Sequence, residues 1–193
     1  MRMLFAFLLL VAQDTPVNVE FRVFAGTEEI TASTRLRIMP TGSRDAPLTV
    51  SEGKRLIATV APAIYDVQAL RLRSGGIVAI RWAERLVVMH YPDEAGRHLQ
   101  VINFDEGYGA LQLRAAKGPI AAYDIAVFPA GNRTTPLGDP VEGDDYRLFV
   151  LQAGRYDIRV RPAGTRAEGE EPRWLLHIEV PANRTRMKIL GGS

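Results

Sequence analysis

Two stretches of this chain carry the same landmarks in the same order: residues 30–67 read ITASTRLRIMPTGSRDAPLTVSEGKRLIATVAPAIYDV, and residues 120–158 read IAAYDIAVFPAGNRTTPLGDPVEGDDYRLFVLQAGRYDI. The matched landmarks lie 89 to 92 residues apart: Pro40/Pro129, Gly42/Gly131, Pro47-Leu48/Pro136-Leu137, Glu52-Gly53/Glu142-Gly143, Tyr65-Asp66/Tyr156-Asp157 and Arg81-Trp82/Arg173-Trp174. An offset that grows by single residues is typical of a tandem repeat with loop insertions. The sequence therefore predicts an internal duplication.

Apolar and polar residues alternate along most of the chain, which is typical of half-buried strands. In residues 17–24 (VNVEFRVF), for example, every second residue is apolar and falls on one face of a strand. The same alternation recurs in residues 34–39, 65–73, 124–128, 145–150 and 156–161, and clusters of Gly, Pro, Asn and Asp separate these runs. About seven strands in about 90 residues predict an all-β fold of immunoglobulin-like or transthyretin-like sandwiches.

The repeat also predicts the domain boundaries. Residues 21–31 match residues 111–121, so that a strand opens each copy, and residues 97–104 and 184–190 close the two copies. We therefore expect one sandwich over residues 13–105 and a second over residues 106–193.

The first residues, MRMLFAFLLLVAQD, combine Arg2 with an apolar run from Leu4 to Ala12. Such a run is too short to span about 30 Å of hydrocarbon as a helix, and it is typical of a signal peptide cleaved after Ala12. The alternatives are a buried first strand or an uncleaved anchor. Residues 1–12 are thus predicted to be a signal peptide, and the protein to be periplasmic, at the cell surface or secreted.

Composition excludes several classes of function. The chain has no cysteine, which excludes disulfides and every cysteine-based metal or catalytic site. It has 24 basic and 22 acidic side chains, so it lacks the charge excess that is typical of nucleic-acid binding. No later segment is long and apolar enough to predict a membrane span.

The run Gly154-Arg155-Tyr156-Asp157, preceded by residues 147–151 (RLFVL), resembles the turn-plus-tyrosine step of transthyretin-like (prealbumin-like) bacterial modules. These modules include the carboxypeptidase regulatory-like and PEGA-type repeats. The resemblance covers most of residues 120–190 and, more weakly, residues 30–104, where Ala63-Ile64 replaces Gly154-Arg155. It implies a non-catalytic interaction or scaffold module.

Tyrosines and tryptophans at matched positions have either a structural role or a binding role. Tyr65 and Tyr156 fit a tyrosine corner, in which the ring packs in the core and the hydroxyl reaches a backbone group; the alternative is an aromatic ring that stacks on a ligand. Trp82 and Trp174 fit either a core position or a sugar-binding platform. Because Trp174 alternates with Leu176, Ile178 and Val180, we expect it to be buried.

Residues that could bind metals are sparse. His90, His98 and His177 lack metal-ligand spacing, although His90 and His98 flank one turn and could bind a metal together with Asp93 or Glu94. The acidic run Glu142, Asp144 and Asp145 either binds calcium or is solvated loop charge, and it lacks EF-hand spacing.

Neither the paired arginines nor any sequence motif indicates an active site. Arginines two apart share a strand face, and they form either a surface for anions or a solvated sheet face: Arg35/Arg37, Arg71/Arg73, Arg159/Arg161 and Arg184/Arg186. Mixed-sign charge favours the solvated face. The sequence has no G-x-S-x-G elbow, phosphate-binding glycine loop or HExxH motif. A Ser/His/Asp triad is the open alternative, because its members can lie far apart in a chain, but nothing in the sequence indicates one. We therefore predict no catalytic, cofactor-binding or metal-binding residue, no cofactor, and a protein that is not an enzyme.

Two functions are favoured, and an enzyme ranks third. The first is an interaction or scaffolding module that binds a protein partner at the bacterial cell envelope, through an exposed strand edge or the loops at one end of a sandwich. The second is a carbohydrate-binding accessory module. The positions of Trp82, Trp174, Tyr91 and Tyr108 discriminate between them, because sugar binding needs exposed coplanar rings.

Overall fold

The computed structural model describes residues 15–44, 46–89, 98–164 and 171–191. The predicted signal peptide lies outside the described residues, and so do His90, Tyr91, Asp93 and Glu94. Within the described ranges, no helix is long and apolar enough to cross a membrane.

The chain is all-β and forms two tandem sandwiches, as predicted. The N-terminal sandwich contains β1 (Val17–Ala25), β2 (Glu28–Glu29), β3 (Thr34–Pro40), β4 (Thr49–Glu52), β5 (Leu56–Val60), β6 (Ala63–Arg73), β7 (Gly76–Val88) and β8 (His98–Asn103). The C-terminal sandwich contains β9 (Tyr108–Ala115), β10 (Tyr123–Pro129), β11 (Val141–Glu142), β12 (Tyr146–Gln152), β13 (Gly154–Pro162), β14 (Arg173–Val180) and β15 (Thr185–Leu190). A 3₁₀ turn precedes β3 (Thr31–Ser33) and another precedes β10 (Ile120–Ala122).

Each sandwich pairs an inner sheet with an outer sheet. In the first inner sheet, β1 is antiparallel to β2 and β5 and parallel to β8; the first outer sheet has the order β4-β3-β6-β7. The second inner sheet has the order β11-β12-β9-β15, with β9 and β15 parallel, and the second outer sheet has the order β10-β13-β14. In both sandwiches, therefore, the first strand pairs in parallel with the last one.

A polar side chain also ties the end of the first sandwich to its beginning. Asn103, at the end of β8, donates from Nδ2 to the Gly26 carbonyl at 2.8 Å and accepts the Gly26 N–H at 3.1 Å. Gly26 has a φ of +59°, a backbone angle that residues other than glycine rarely adopt. The turn after β1 is thus held by a residue 77 positions later.

Apolar side chains fill both sandwiches between their two sheets. In the first, Phe21 and Val23 of β1 pack with Leu36, Ile38 and Val67 of the outer sheet, all at most 2% exposed. In the second, the same layer is formed by Leu111, Leu113, Val127, Phe149 and Ile158. Burying each such side chain contributes about 1.5–3 kcal/mol, so these layers stabilise the fold without disulfides.

A third apolar cluster joins the two sandwiches. Phe24 and Leu99 of the first inner sheet pack against β9 and β12 of the second, in a junction cluster that also contains Ala110, Tyr146, Leu148 and Val150. The two inner sheets therefore pack face to face. The face of β1 that carries Glu20 and Arg22 consequently points into the junction rather than into open solvent, and Glu20 is only 5% exposed.

Matched residues make matched contacts in the two sandwiches. The Tyr65 hydroxyl donates to the Ala61 carbonyl at 2.7 Å, and the Tyr156 hydroxyl donates to the Gln152 carbonyl at 2.6 Å, four residues upstream in both cases. Both rings are buried. The structural interpretation of the two tyrosines as tyrosine corners is thereby confirmed.

The prediction that Trp174 is buried beside Leu176, Ile178 and Val180 is wrong. The pairing of β13 with β14 shifts register between Tyr156 and Ile158, and His177 adopts a φ of +54°. Such a bulge inserts one residue and reverses the alternation of faces. Ile178 and Val180 therefore contact the core, whereas Trp174 is half-buried and Leu176 is 45% exposed.

Candidate interaction surface

The edge of the first outer sheet is formed by β7, the longest strand of the protein's described part. It runs for 13 residues and pairs with β6 on one side. No described strand pairs with its other side. The turn into β7 is made by Gly75 and by Gly76, whose φ of +116° favours glycine. This edge therefore presents unpaired backbone donors and acceptors.

The beginning of β7 is also apolar and exposed. The segment Gly76–Ile80 (GIVAI), which we call the hairpin tip, contains no charge and no proline. Ile77 and Val78 are each 53% exposed and Ile80 is 55% exposed. All three side chains are exposed, so the hairpin tip presents apolar surface to solvent. Charges and prolines, which usually protect such edges, are absent from this segment, and a register shift opposite Arg71 and Leu72 leaves Val78 as an extra residue in the pairing with β6.

The two tryptophans lie on the outer faces of different sheets, each beneath an arginine. The Arg44 guanidinium lies 4.0 Å from the centre of the Trp82 ring and also pairs with Glu84 at 2.5 Å. The Arg133 guanidinium lies 4.8 Å from the centre of the Trp174 ring. Cation–π stacking of this kind covers the ring face that a sugar would need.

The other aromatic rings do not complete a platform. Phe128 contacts Trp174 with its ring tilted, at a centroid distance of 5.3 Å. Tyr108 packs against the junction cluster, and Tyr91 lies outside the described residues. The four aromatic residues that were expected to discriminate between the two functions therefore form no exposed coplanar set in the described part of the chain.

A buried carboxylate in each sandwich fixes the loop beneath the stacked arginine. Asp157 accepts the His177 N–H at 2.9 Å and the Gly131 N–H at 3.3 Å, and its carboxylate also pairs with Arg133. The hydrogen bond from His177 is the main cause that lowers the pKa of Asp157, despite burial.

Asp66 makes the corresponding contacts in the first sandwich. It accepts the Arg85 N–H at 2.9 Å and the Gly42 N–H at 3.0 Å. These backbone hydrogen bonds lower the pKa of Asp66. Arg85 has a φ of +56°, so Asp66, like Asp157, holds a left-handed bulge in the neighbouring strand. Both carboxylates have a structural role.

A polar groove of about 860 Å³ lies at the junction of the two sandwiches. Residues 81–87 of β7 and residues 98–103 of β8 form one side, and parts of β9 and of the turn into β15 form the other. Its charges are unequal, because four arginines and one glutamate are among the residues that line it: Arg81, Arg85, Arg114, Arg184 and Glu84. Desolvation, followed by the charge of Arg114, lowers the pKa of His98 in this groove.

The predicted metal-ligand candidates are dispersed. His98 lies in the groove and His177 lies on β14, and no group of three potential metal ligands occurs among the described residues. Each carboxylate of the acidic run pairs with an arginine, at distances of 3.4, 4.0 and 3.5 Å: Glu142 with Arg147, Asp144 with Arg55, and Asp145 with Arg114.

Some of the paired arginines also interact within their own sheets. Arg35 pairs with Glu52 at 2.6 Å, and Arg37 donates to Gln68 at 3.1 Å. Arg161 pairs with Asp124 at 3.1 Å. These contacts favour the interpretation of the arginine pairs as solvated sheet faces.

No protein-family model and no curated protein sequence matches the chain. Among solved structures, it is similar to the Bacillus anthracis TIE protein (TM-score 0.31, 11% identity, 91% of this chain), of which it spans only 34%. It is also similar to the minor pilin GBS52 of Streptococcus agalactiae (TM-score 0.29, 10% identity, 90% of this chain and 94% of that one). A third similar structure is the tip fimbrial protein Mfa3 of Porphyromonas gingivalis (TM-score 0.32, 9% identity, 90% and 94%).

Proposed function

We propose that this chain is a non-catalytic interaction module of the bacterial cell envelope that binds a protein partner by strand addition at β7. The observation that carries this proposal is the unpaired, apolar hairpin tip. A strand added there would satisfy the free backbone groups of β7, and its alternate side chains would cover Ile77 and Val78. Covering these side chains removes apolar surface from water, which favours binding.

A protein partner is favoured over a carbohydrate by the distribution of the aromatic rings. Trp82 and Trp174 lie on separate sheets, and arginines stack on both. The apolar surface lies instead at the hairpin tip. Exposed apolar surface away from the aromatic rings is the arrangement that favours a protein.

The proposal has three further parts: the protein is exported, its two sandwiches are transthyretin-like repeats, and these repeats arose by duplication. The charged start and short apolar run of residues 1–12 support a signal peptide. The tyrosine corners at Tyr65 and Tyr156 and the carboxylates at Asp66 and Asp157 recur at an offset of 91 residues, which supports transthyretin-like repeats that arose by duplication. N-terminal sequencing of protein from an extracytoplasmic fraction tests export, and a cytosolic chain that begins at Met1 would contradict it.

A capture experiment with matched variants tests the interaction. The tagged mature chain and its Ile77→Lys variant are incubated with envelope extract, and the bound proteins are identified by mass spectrometry. The control is Val50→Lys on β4, the opposite edge of the same sheet, where Val50 is 51% exposed. We expect the wild type and the control to retain a partner that Ile77→Lys loses.

A glycan array run on the same samples tests the alternative. A saturable glycan signal without any retained protein would contradict the proposal, and so would a partner that Ile77→Lys and the wild type retain equally. Because Ile77 is exposed, its substitution should change stability by no more than about 0.5 kcal/mol. Equal thermal melting curves for the three proteins make the comparison valid.

A further inference from the structure

We propose that the groove at the junction of the two sandwiches binds an acidic segment of a partner protein in extended conformation. This site is separate from the hairpin tip, and it does not depend on strand addition there. The inference rests on the charge of the groove and on the two strand edges that border it.

The charge of the groove exceeds that of the chain as a whole. The full sequence has nearly equal numbers of basic and acidic residues, 24 and 22, whereas four guanidinium groups and a single carboxylate line the groove. That carboxylate, Glu84, already pairs with Arg44. A cleft lined by one sign of charge concentrates its field and attracts ligands of the opposite sign.

Two of these arginines would bind the ligand in this proposal. The side chains of Arg85 and Arg184 make no hydrogen bond or ion pair with any other described residue, and they lie on β7 and on the turn into β15, respectively. Arg81 and Arg114 each pair with a carboxylate outside the groove lining, Glu106 and Asp145, at 3.5 Å. Guanidinium groups bind carboxylates through paired, charge-assisted hydrogen bonds.

The strand edges favour a peptide as the ligand. In the described part of the structure, β8 pairs only with β1. In a parallel pair, alternate residues bond to the neighbouring strand, so the remaining N–H and C=O groups of β8 point away from β1. The seven residues of β7 that line the groove span about 20 Å, which is enough for about six residues of an extended peptide. A backbone in the groove could therefore pair with a strand while its carboxylates reach the arginines.

Synthetic peptides test the inference without an identified partner. The probe is a fluorescein-labelled octapeptide of alternating Glu and Val, and its counterpart has Lys in place of Glu. Binding is measured by fluorescence anisotropy with the full mature chain. We expect the Glu peptide to bind, the Lys peptide not to bind, and the affinity to fall as salt rises.

Matched variants locate the site. Arg85→Gln/Arg184→Gln should weaken binding of the Glu peptide about tenfold. The control, Arg73→Gln/Arg155→Gln, removes the same charge from exposed arginines outside the groove, and it should leave the affinity within about twofold. If the double variant has a lower melting temperature than the wild type, the single variant Arg184→Gln is used instead. Equal loss in both variants would indicate a general charge effect and overturn the inference.

Two further ligands test the extended conformation and the ligand class. A Glu peptide that is N-methylated at every second residue cannot form a full strand ladder, and we expect it to bind at least about tenfold more weakly. Unchanged binding of that peptide would refute strand pairing. Tetragalacturonate carries carboxylates on a sugar backbone; if it binds more tightly than the Glu peptide, the ligand is an anionic glycan and the peptide assignment is wrong.

Discussion

Replacing Asp157 is the sharpest test of how the C-terminal sandwich is held together. Its carboxylate is 1% exposed and accepts two backbone N–H groups, from His177 on β14 and Gly131 in the loop after β10. Asp157→Ala removes both acceptors at once. Because the bulge at His177 has a positive φ, it should lose its main support.

The size of the effect follows from these contacts. A hydrogen bond to a charged group contributes about 1.5–3 kcal/mol, and the lower value applies because both donors are only partly buried. Two such bonds give about 3 kcal/mol. The ion pair with Arg133 adds no more than about 0.5 kcal/mol, because that side chain is 47% exposed. Asp157→Asn keeps one acceptor oxygen and should cost about half as much.

Urea unfolding followed by circular dichroism measures these free energies, with Asp124→Ala as the control. Asp124 is an exposed carboxylate on the same outer sheet that pairs with Arg161, so its loss should cost less than about 1 kcal/mol. A cost for Asp157→Ala no greater than that of the control would refute the assignment of Asp157 as the support of the bulge.

The pH dependence gives an independent check. Because the pKa of Asp157 is lowered in the folded state, its stabilisation is complete above the unfolded pKa of about 3.9 and is lost as pH falls through the folded value. The wild type should therefore exceed Asp157→Asn in stability at about pH 7 and lose that advantage progressively as the pH falls below about 3.9. A constant difference over this range would contradict the role of the charge.

Three further changes have expected outcomes. Tyr65→Phe and Tyr156→Phe should each lower the free energy of unfolding by about 1 kcal/mol, and their effects should add, because each removes one hydroxyl bond in a separate sandwich; urea unfolding of the single and double variants measures this. Leu148→Ala, at a fully buried junction position, should cost about 2–5 kcal/mol and split the calorimetric transition into two. Millimolar calcium or excess EDTA should leave the melting temperature unchanged, because arginines already neutralise Glu142, Asp144 and Asp145; a rise in melting temperature with calcium would show a metal site.

The local parts of the fold could be predicted from the sequence. Strand alternation and turn residues depend on neighbouring side chains, so β3, β6, β10 and β13 lie where the alternation placed them. The tyrosine corners could also be predicted, because their hydrogen bonds span only four residues.

The position of Trp174 could not be predicted from alternation. The left-handed backbone at His177 moves each preceding residue of β14 to the opposite face of the sheet. Histidine is not a residue type that indicates such a bulge in a sequence. The bulge depends on Asp157, which lies 20 positions away. The only sequence signal for the bulge at His177 is the repeat itself, because Asp157 matches Asp66, which stabilises a corresponding bulge at Arg85.

The surfaces proposed for binding depend on packing between distant strands. The pattern of β1 assigned Glu20 and Arg22 to a polar face but could not show that a second sandwich covers this face. Likewise, the residues of the groove come from both sandwiches, and their shared charge became visible only when β7, β8 and β15 were placed together. The free edge at the hairpin tip likewise depends on sheet order, because β7 is the last strand of its sheet.

The parallel pairing of first and last strands determines when the N-terminal sandwich can be completed. β1 is synthesised before the other strands of its sandwich, yet β8, which completes its sheet, comes last, and Asn103, which closes the turn at Gly26, lies 77 residues after that glycine. At synthesis rates of about 5–20 residues per second, this interval lasts about 4–15 s. During that time the central strand of the sheet has an open side. Because its central strand pairs with its last strand, this sheet cannot be complete until nearly all of its sandwich has been synthesised.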